Sequence, residues 1–330
     1  MLSPYVIHHL LKHFDAIDRA VTRPMTYPRP KDEEQLTGTL VDLVDEKVQV
    51  AEHVEYTIAA LRADLTQASE PIGVEFDLET HKYTKEFENR ISQADLGLIV
   101  KYENNFEPQL SGQRSWLLQA KRLYPTDLNP TRYEPKAKFG AVDVQQEKRI
   151  RELIKFVDAD FFRYLLYCPR PESLEDENTR LELSYFRGKA LSEQIFDFAY
   201  GLELRDDIRN GSKTVASGMF ISTVDNRPKC FGDVHAGIFQ SVTPFAWFLI
   251  RHIPGYTPHH WEPESLLDQH KDSDLVSQIV RGDPNVVDVI ADALSDKNWS
   301  GAILPAATLT ITISAGPRSV RDRYRWERDQ

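Results

Sequence analysis

Apolar residues recur every three or four positions at the start of the chain. Val6, Leu10, Leu11, Phe14 and Ile17 share one side of a helical wheel, so Leu2–Val21 is predicted to be an amphipathic helix. Pro24, Pro28 and Pro30 follow, and their fixed φ and missing N–H predict an extended connection. Helical spacing resumes at Leu36, Leu40, Leu43, Val44 and Val48. Asp32 stands where it can cap that helix, and Glu33 and Glu34 fall in its first turn, where the helix dipole favours acid. A third helix is expected from Val54 to Leu65, ended by Ala68-Ser69-Glu70-Pro71.

From Ile72 the period changes. Ile72–Leu78 alternates as a strand does, and Glu79–Ser92 is polar enough for a loop or an exposed strand end. Two apolar runs come next, Asp95–Val100 and Trp116–Arg122. Asn104, Asn105, Pro108, Ser111 and Gly112 supply turn chemistry between them, which predicts a strand-turn-strand hairpin. Tyr124–Lys138 carries three prolines and reads as loop. Val142–Phe156 reads as helix through Val144, Ile150, Leu153 and Ile154, and Phe161–Pro169 as a buried strand. Helix, three strands, helix, strand is an α/β order that closes near residue 170.

The charged, turn-rich stretch Arg170–Asn178 marks an expected boundary. Beyond it, Leu191–Gly201 is expected to be helix, Met219–Val224 strand and Ala236–His252 one long apolar helix. Pro258–Glu264 reads as loop, followed by short helices up to Leu294. Ala302–Ser314 is a threonine- and isoleucine-rich strand, ahead of an arginine-dense tail from Arg318. The expected organisation is therefore an N-terminal helix and linker (1–30), a core (31–170), and an accessory region or extension of the core (171–330). There is no internal repeat.

Composition narrows the class. Apolar and charged fractions are ordinary for a globular chain of 330 residues, and the longest apolar runs are too short for a membrane span. The first twenty residues lack the basic start and apolar core of a signal peptide. The two cysteines, Cys168 and Cys230, are far apart, which argues against thiolate zinc and a disulfide framework and predicts a cytoplasmic protein. A net charge of −11 argues against a simple nucleic-acid coat, but the charge is uneven. Lys31–Leu110 holds 18 acidic and 7 basic residues, whereas Arg114–Lys155 holds 10 basic and 5 acidic. An acid-rich segment followed by a basic one suits a metal site beside a polyanionic substrate.

The candidate chemistry sits on the hairpin. Asp95 opens its first strand, and Gln119 and Lys121, two apart, leave one face of the second. Mg²⁺ takes oxygen ligands and keeps several waters, so Asp95, the Gln119 amide and the Ala120 carbonyl form a plausible ligand set. Lys121, its burial offset by pairing with Asp95, would orient the attacking water or stabilise charge at phosphorus. Glu33 or Glu34 would reach the metal from the helix before the sheet. Glu33 lies three and seven residues before Leu36 and Leu40, on the apolar face, Glu34 sits beside it, and Glu88 and Glu86 are rival acids.

These residues resemble the PD-(D/E)xK nuclease superfamily, in particular its restriction and anti-phage defence branches. The matching segments are Glu33-Glu34-Gln35-Leu36-Thr37, Gln93-Ala94-Asp95 and Gln119-Ala120-Lys121, with Gln145 and Gln146 on the following helix and a strand ending in Tyr167 and Pro169. Gln119 stands where an acidic residue is usual, and Gln93 where glycine is common. The resemblance covers residues 31–170. It implies a restriction-endonuclease-like core, a mixed central sheet flanked by helices, to which the elements expected beyond residue 170 add a C-terminal α+β extension. It also implies an Mg²⁺-dependent (or Mn²⁺-dependent) endonuclease acting on DNA, with Gln146 in a supporting role.

Arg122, Lys136, Lys138 and Lys148 are the candidate nucleic-acid contacts. Expected partners are DNA, a helicase or sensor subunit, and a second copy, since cutting both strands commonly uses two sites. Two alternatives stand beside this reading: a catalytically silent nuclease-like subunit, motivated by the uncharged Gln119, and an RNA-directed nuclease. Other motifs carry less. His8-His9 and His259-His260 are adjacent and point apart, and no glycine-rich phosphate loop or Gly-x-Ser-x-Gly elbow is present. The arginine tail, with Tyr324 and Trp326 interleaved, reads either as a nucleic-acid contact or as a solvated tail.

Overall fold

The computed structural model describes residues 2–49, 54–69, 72–82, 94–126, 131–141, 144–192, 214–253, 273–283, 285–286, 289–290 and 305–316. The elements run α1 (Pro4–Thr22), α2 (Glu33–Leu43), α3 (Ile58–Ala68), β1 (Val74–Lys82), β2 (Leu96–Asn104) and β3 (Gly112–Arg122). They continue with α4 (Val144–Val157), β4 (Phe162–Tyr167), α5 (Glu177–Ser192), β5 (Met219–Thr223) and α6 (Phe231–Ala236). The last are β6 (Val242–Pro244), α7 (Phe245–Arg251), α8 (Ser273–Val280) and β7 (Ala307–Ala315).

The fold is α/β: an open, mixed, seven-stranded sheet flanked by helices, in the order β1-β7-β2-β3-β4-β5-β6. β2 and β3 are the antiparallel hairpin, and β4 joins β3 in parallel after the α4 crossover. β7 lies between β1 and β2, antiparallel to the first and parallel to the second. Residues 171–330 thus supply β5, β6 and β7 to the same sheet as residues 31–170.

The near-continuous apolar run of β2 follows from burial on both faces. Leu96, Leu98 and Val100 join one core with residues of α1, α2 and α3. Ile99 and Leu117 join a second core with Ile150 and Leu153 of α4 and Val276 and Ile279 of α8. Gly97 is required where α8 meets the sheet: a Cβ there would lie 2.7 Å from the Val280 carbonyl oxygen and 2.9 Å from Thr308 Oγ1.

Several expected elements differ. The proline-rich connection begins as a 3₁₀ turn, Arg23–Thr26, because Pro24 has the φ that the start of a helical turn needs. The second helix stops at Leu43, and Val48 is half-exposed beyond it. The third helix starts at Ile58, where the Thr57 hydroxyl accepts from the Ala60 N–H. β1 runs on into the polar stretch, since pairing with β7 as far as Lys82↔Ala307 satisfies its backbone. Glu177 lies in helix α5 and not in a boundary loop. Ala236–His252 is the last residue of α6, a turn, β6 and α7; the turn at Gly237–Ser241 breaks the expected helix, and Pro244 sets the start of α7. The expected helix Leu191–Gly201 lies largely outside the described residues, and the loop Pro258–Glu264, Glu86, Glu88, Gln93 and the arginine tail lie wholly outside them. No described helix is long and apolar enough to cross a membrane.

Candidate metal centre

The hairpin register brings the candidate residues together. Leu96 pairs with Leu118, so one further step places Asp95 opposite Gln119, and cross-strand partners share a face. Gln119 Nε2 donates to Asp95 Oδ2 at 2.5 Å, and the Ala120 N–H donates to the same oxygen at 2.7 Å. Among the described residues, Asp95 Oδ1 accepts no hydrogen bond.

Glu33 arrives from α2. Asp32 caps that helix, accepting from the Gln35 N–H at 2.8 Å, while Gln35 Oε1 accepts from the Asp32 N–H at 3.2 Å. This reciprocal box fixes Glu33 as the first helical residue. Its carboxylate reaches the end of β3, where Oε1 accepts from Lys121 Nζ at 3.1 Å and Oε2 from the Arg122 N–H at 2.8 Å. Leu36 and Leu40 anchor the apolar face of α2, and Thr37 bonds the Tyr167 hydroxyl of β4 at 3.1 Å. Thr37 and Tyr167 both lie in the matching segments, but only the structure reveals that they hold α2 against the sheet.

The lysine pairs differently from expectation. Lys121 bonds Glu33, while Asp95 Oδ2 accepts from Ala120 and Gln119. Lys121 acts on Asp95 through charge alone. Glu34 is exposed and also reaches Asp95 only through its charge. Of the glutamine pair, Gln146 joins the cluster, its Nε2 donating to Gln119 Oε1 at 3.0 Å, while Gln145 is exposed.

Burial dominates the electrostatics. It pushes the Asp95 carboxyl up to about 6; the Ala120 N–H opposes this, Glu33 adds to it, Lys121 opposes it and Glu34 adds to it. One ammonium thus faces three carboxylates, leaving an excess of negative charge.

The basic candidates lie less close. The Arg122 guanidinium is buried 4.9 Å from the centre of the Tyr124 ring, so Arg122 enters the site by its backbone N–H only. Lys136 pairs with Glu134 at 3.0 Å, and Lys138 and Lys148 are exposed.

No protein-family model, curated protein or solved structure matches this chain. The site therefore has to be judged on its own chemistry. Among the described residues no three His, Cys, Asp or Glu side chains gather closely enough to cage a metal. The oxygens that are present do fit a hard divalent cation: a half-buried carboxylate with one uncommitted oxygen, a second carboxylate held by a lysine, and an amide. Mg²⁺ is bound by one or two carboxylates plus water and substrate phosphate, so a full protein cage is not needed.

Proposed function

We propose that this protein is a Mg²⁺-dependent endonuclease with a restriction-endonuclease-like core, hydrolysing phosphodiester bonds in DNA. Asp95, Gln119 and Glu33 would hold the metal, and Mn²⁺ would substitute for it. The observation that carries this reading is convergence. Glu33 and Lys121, 88 positions apart, bond each other beside the Asp95–Gln119 pair, which gathers residues of all three matching segments in one place. The order α2, α3, β1, β2, β3, α4, β4 also supports it, with β7 inserted between β1 and β2.

Bound at Asp95, a divalent cation would supply Lewis acidity and a hydroxide-generating centre. The chain's own residues do the rest. Glu33 holds the Lys121 ammonium at the end of β3, where it can neutralise charge that gathers on a phosphoryl oxygen. The Arg122 N–H fixes the other oxygen of Glu33, so the carboxylate cannot swing freely. The exposed side chains of Lys138 and Lys148 would receive the polyanion. Restriction or defence against foreign DNA is the setting that the resemblance implies, with a helicase or sensor protein as partner.

The test is cleavage of DNA and of RNA by purified protein with Mg²⁺ or Mn²⁺. DNA is expected to be cut, and Asp95→Ala to abolish cutting with an unchanged circular-dichroism spectrum. Cleavage of RNA alone would move the substrate assignment. No cleavage of either, with no stabilisation by metal, would favour the silent subunit.

A further inference from the structure

Gln119 has no charge, so its effect on Asp95 depends on which end of its amide faces the carboxylate. Here the nitrogen does, while Oε1 accepts from Gln146. That orientation suits an ionised Asp95 with no cation beside it. A cation at Asp95 is repelled by an N–H end and attracted by a carbonyl end.

Turning the Gln119 amide over leaves its outer end needing an acceptor in place of a donor. A primary amide is a neutral side chain that meets either demand by turning over itself. Gln146 is such a group, third in helix α4 and already bonded to the outer end of Gln119. Resting on the metal-site reading above, we infer that Gln146 is a positioning residue: with Gln119 it forms a two-position amide switch. One position turns the N–H of Gln119 to Asp95, as here, and the other turns its carbonyl there, as a metal held at Asp95 would require. Gln146 acts only through Gln119.

Gln146→Glu discriminates. A carboxylate only accepts, so it holds Gln119 with its oxygen toward Asp95. A glutamate in the first turn of α4 also suits the helix dipole, so the fold should be retained. Added charge alone would attract a cation, so the same change is made in a Gln119→Met background, where attraction persists and the switch is gone. Calorimetric titration of the full chain with Mn²⁺, without nucleic acid, reads affinity independently of cleavage. Gln146→Glu is expected to tighten Mn²⁺ binding about tenfold alone, and less than about threefold with Gln119→Met. Equal tightening in both backgrounds, or none, would overturn the switch and leave the metal site standing. Native protein that takes up no Mn²⁺ would overturn the metal-site reading, and the switch with it.

Discussion

Two clusters in this molecule place buried acids against a basic side chain, and they differ in what is left over. In the first, Asp18 of α1 is 1% exposed and accepts from Ser217 Oγ at 2.5 Å, the Gly218 and Met219 N–H groups at 2.9 and 2.6 Å, and Arg170 at 2.6 Å. Arg170 also holds Asp15 at 2.9 Å and pairs with Glu172 at 3.2 Å. Both oxygens of Asp18 are spent, and the bonds tie α1 to the end of β4 and the approach to β5. In the second, Asp95 loads both its bonds on one oxygen and is half-buried, and a single lysine faces three carboxylates. The first cluster is architecture. The second keeps acceptor capacity and negative charge unspent, which is what a cation needs. Burial of an acid beside a base does not mark a functional site; uncommitted coordination does.

Substitutions separate the two most sharply. Asp18→Ala takes from Arg170 its most buried partner and from two backbone N–H groups their Asp18 acceptor, and should cost about 3–5 kcal/mol in chemical denaturation. Cleavage per folded molecule should not change. Asp95→Ala should do the reverse, lowering cleavage by at least about a hundredfold while the protein stays folded. Loss of cleavage by folded Asp18→Ala protein would erase the contrast.

Metal sharpens it further. At a hundred times its dissociation constant, Mg²⁺ should stabilise native protein by about 2.7 kcal/mol in thermal unfolding. Asp95→Ala should respond little, whereas Arg170→Lys should respond as the native protein does. Metal stabilisation that survives Asp95→Ala would place the cation elsewhere.

Acidity gives a comparable or smaller effect. Asp95 titrates near 6 in the fold against an ordinary 3.8, so the folded state holds its proton more tightly than the unfolded chain. Metal-free stability is therefore lost as pH rises from about 4 to 6, by no more than about 3 kcal/mol, and is flat above. Asp95→Asn should remove that slope; an identical slope in the variant would contradict the assignment. Smallest of all, Lys138→Ala should weaken DNA binding modestly and lower the salt slope by about one. An unchanged slope would remove Lys138 from the DNA path.

Much of this was legible from pattern alone. Periodicity located α1, α2, the hairpin, α4 and β4, because each buries a continuous apolar face. The pairing of Asp95 with Gln119 was not: it follows from the β2–β3 register, which the turn residues between the strands did not specify. The place of β7 was not legible: a strand two hundred residues away enters between β1 and β2 through long-range pairing that no local signal encodes. Nor was the Glu33–Lys121 bond, which depends on where the α2 cap aims the first turn. The break at Gly237–Ser241 was hidden by an apolar run that serves a strand and a helix equally well.

Lys121 is the most direct point of attack, since its loss leaves Asp95, Gln119 and Glu33 in place. Cleavage of DNA by Lys121→Ala at saturating Mg²⁺ should fall at least about a hundredfold below native protein, with Mn²⁺ still bound. Undiminished cleavage by that variant would contradict the assignment of this cluster as the catalytic site.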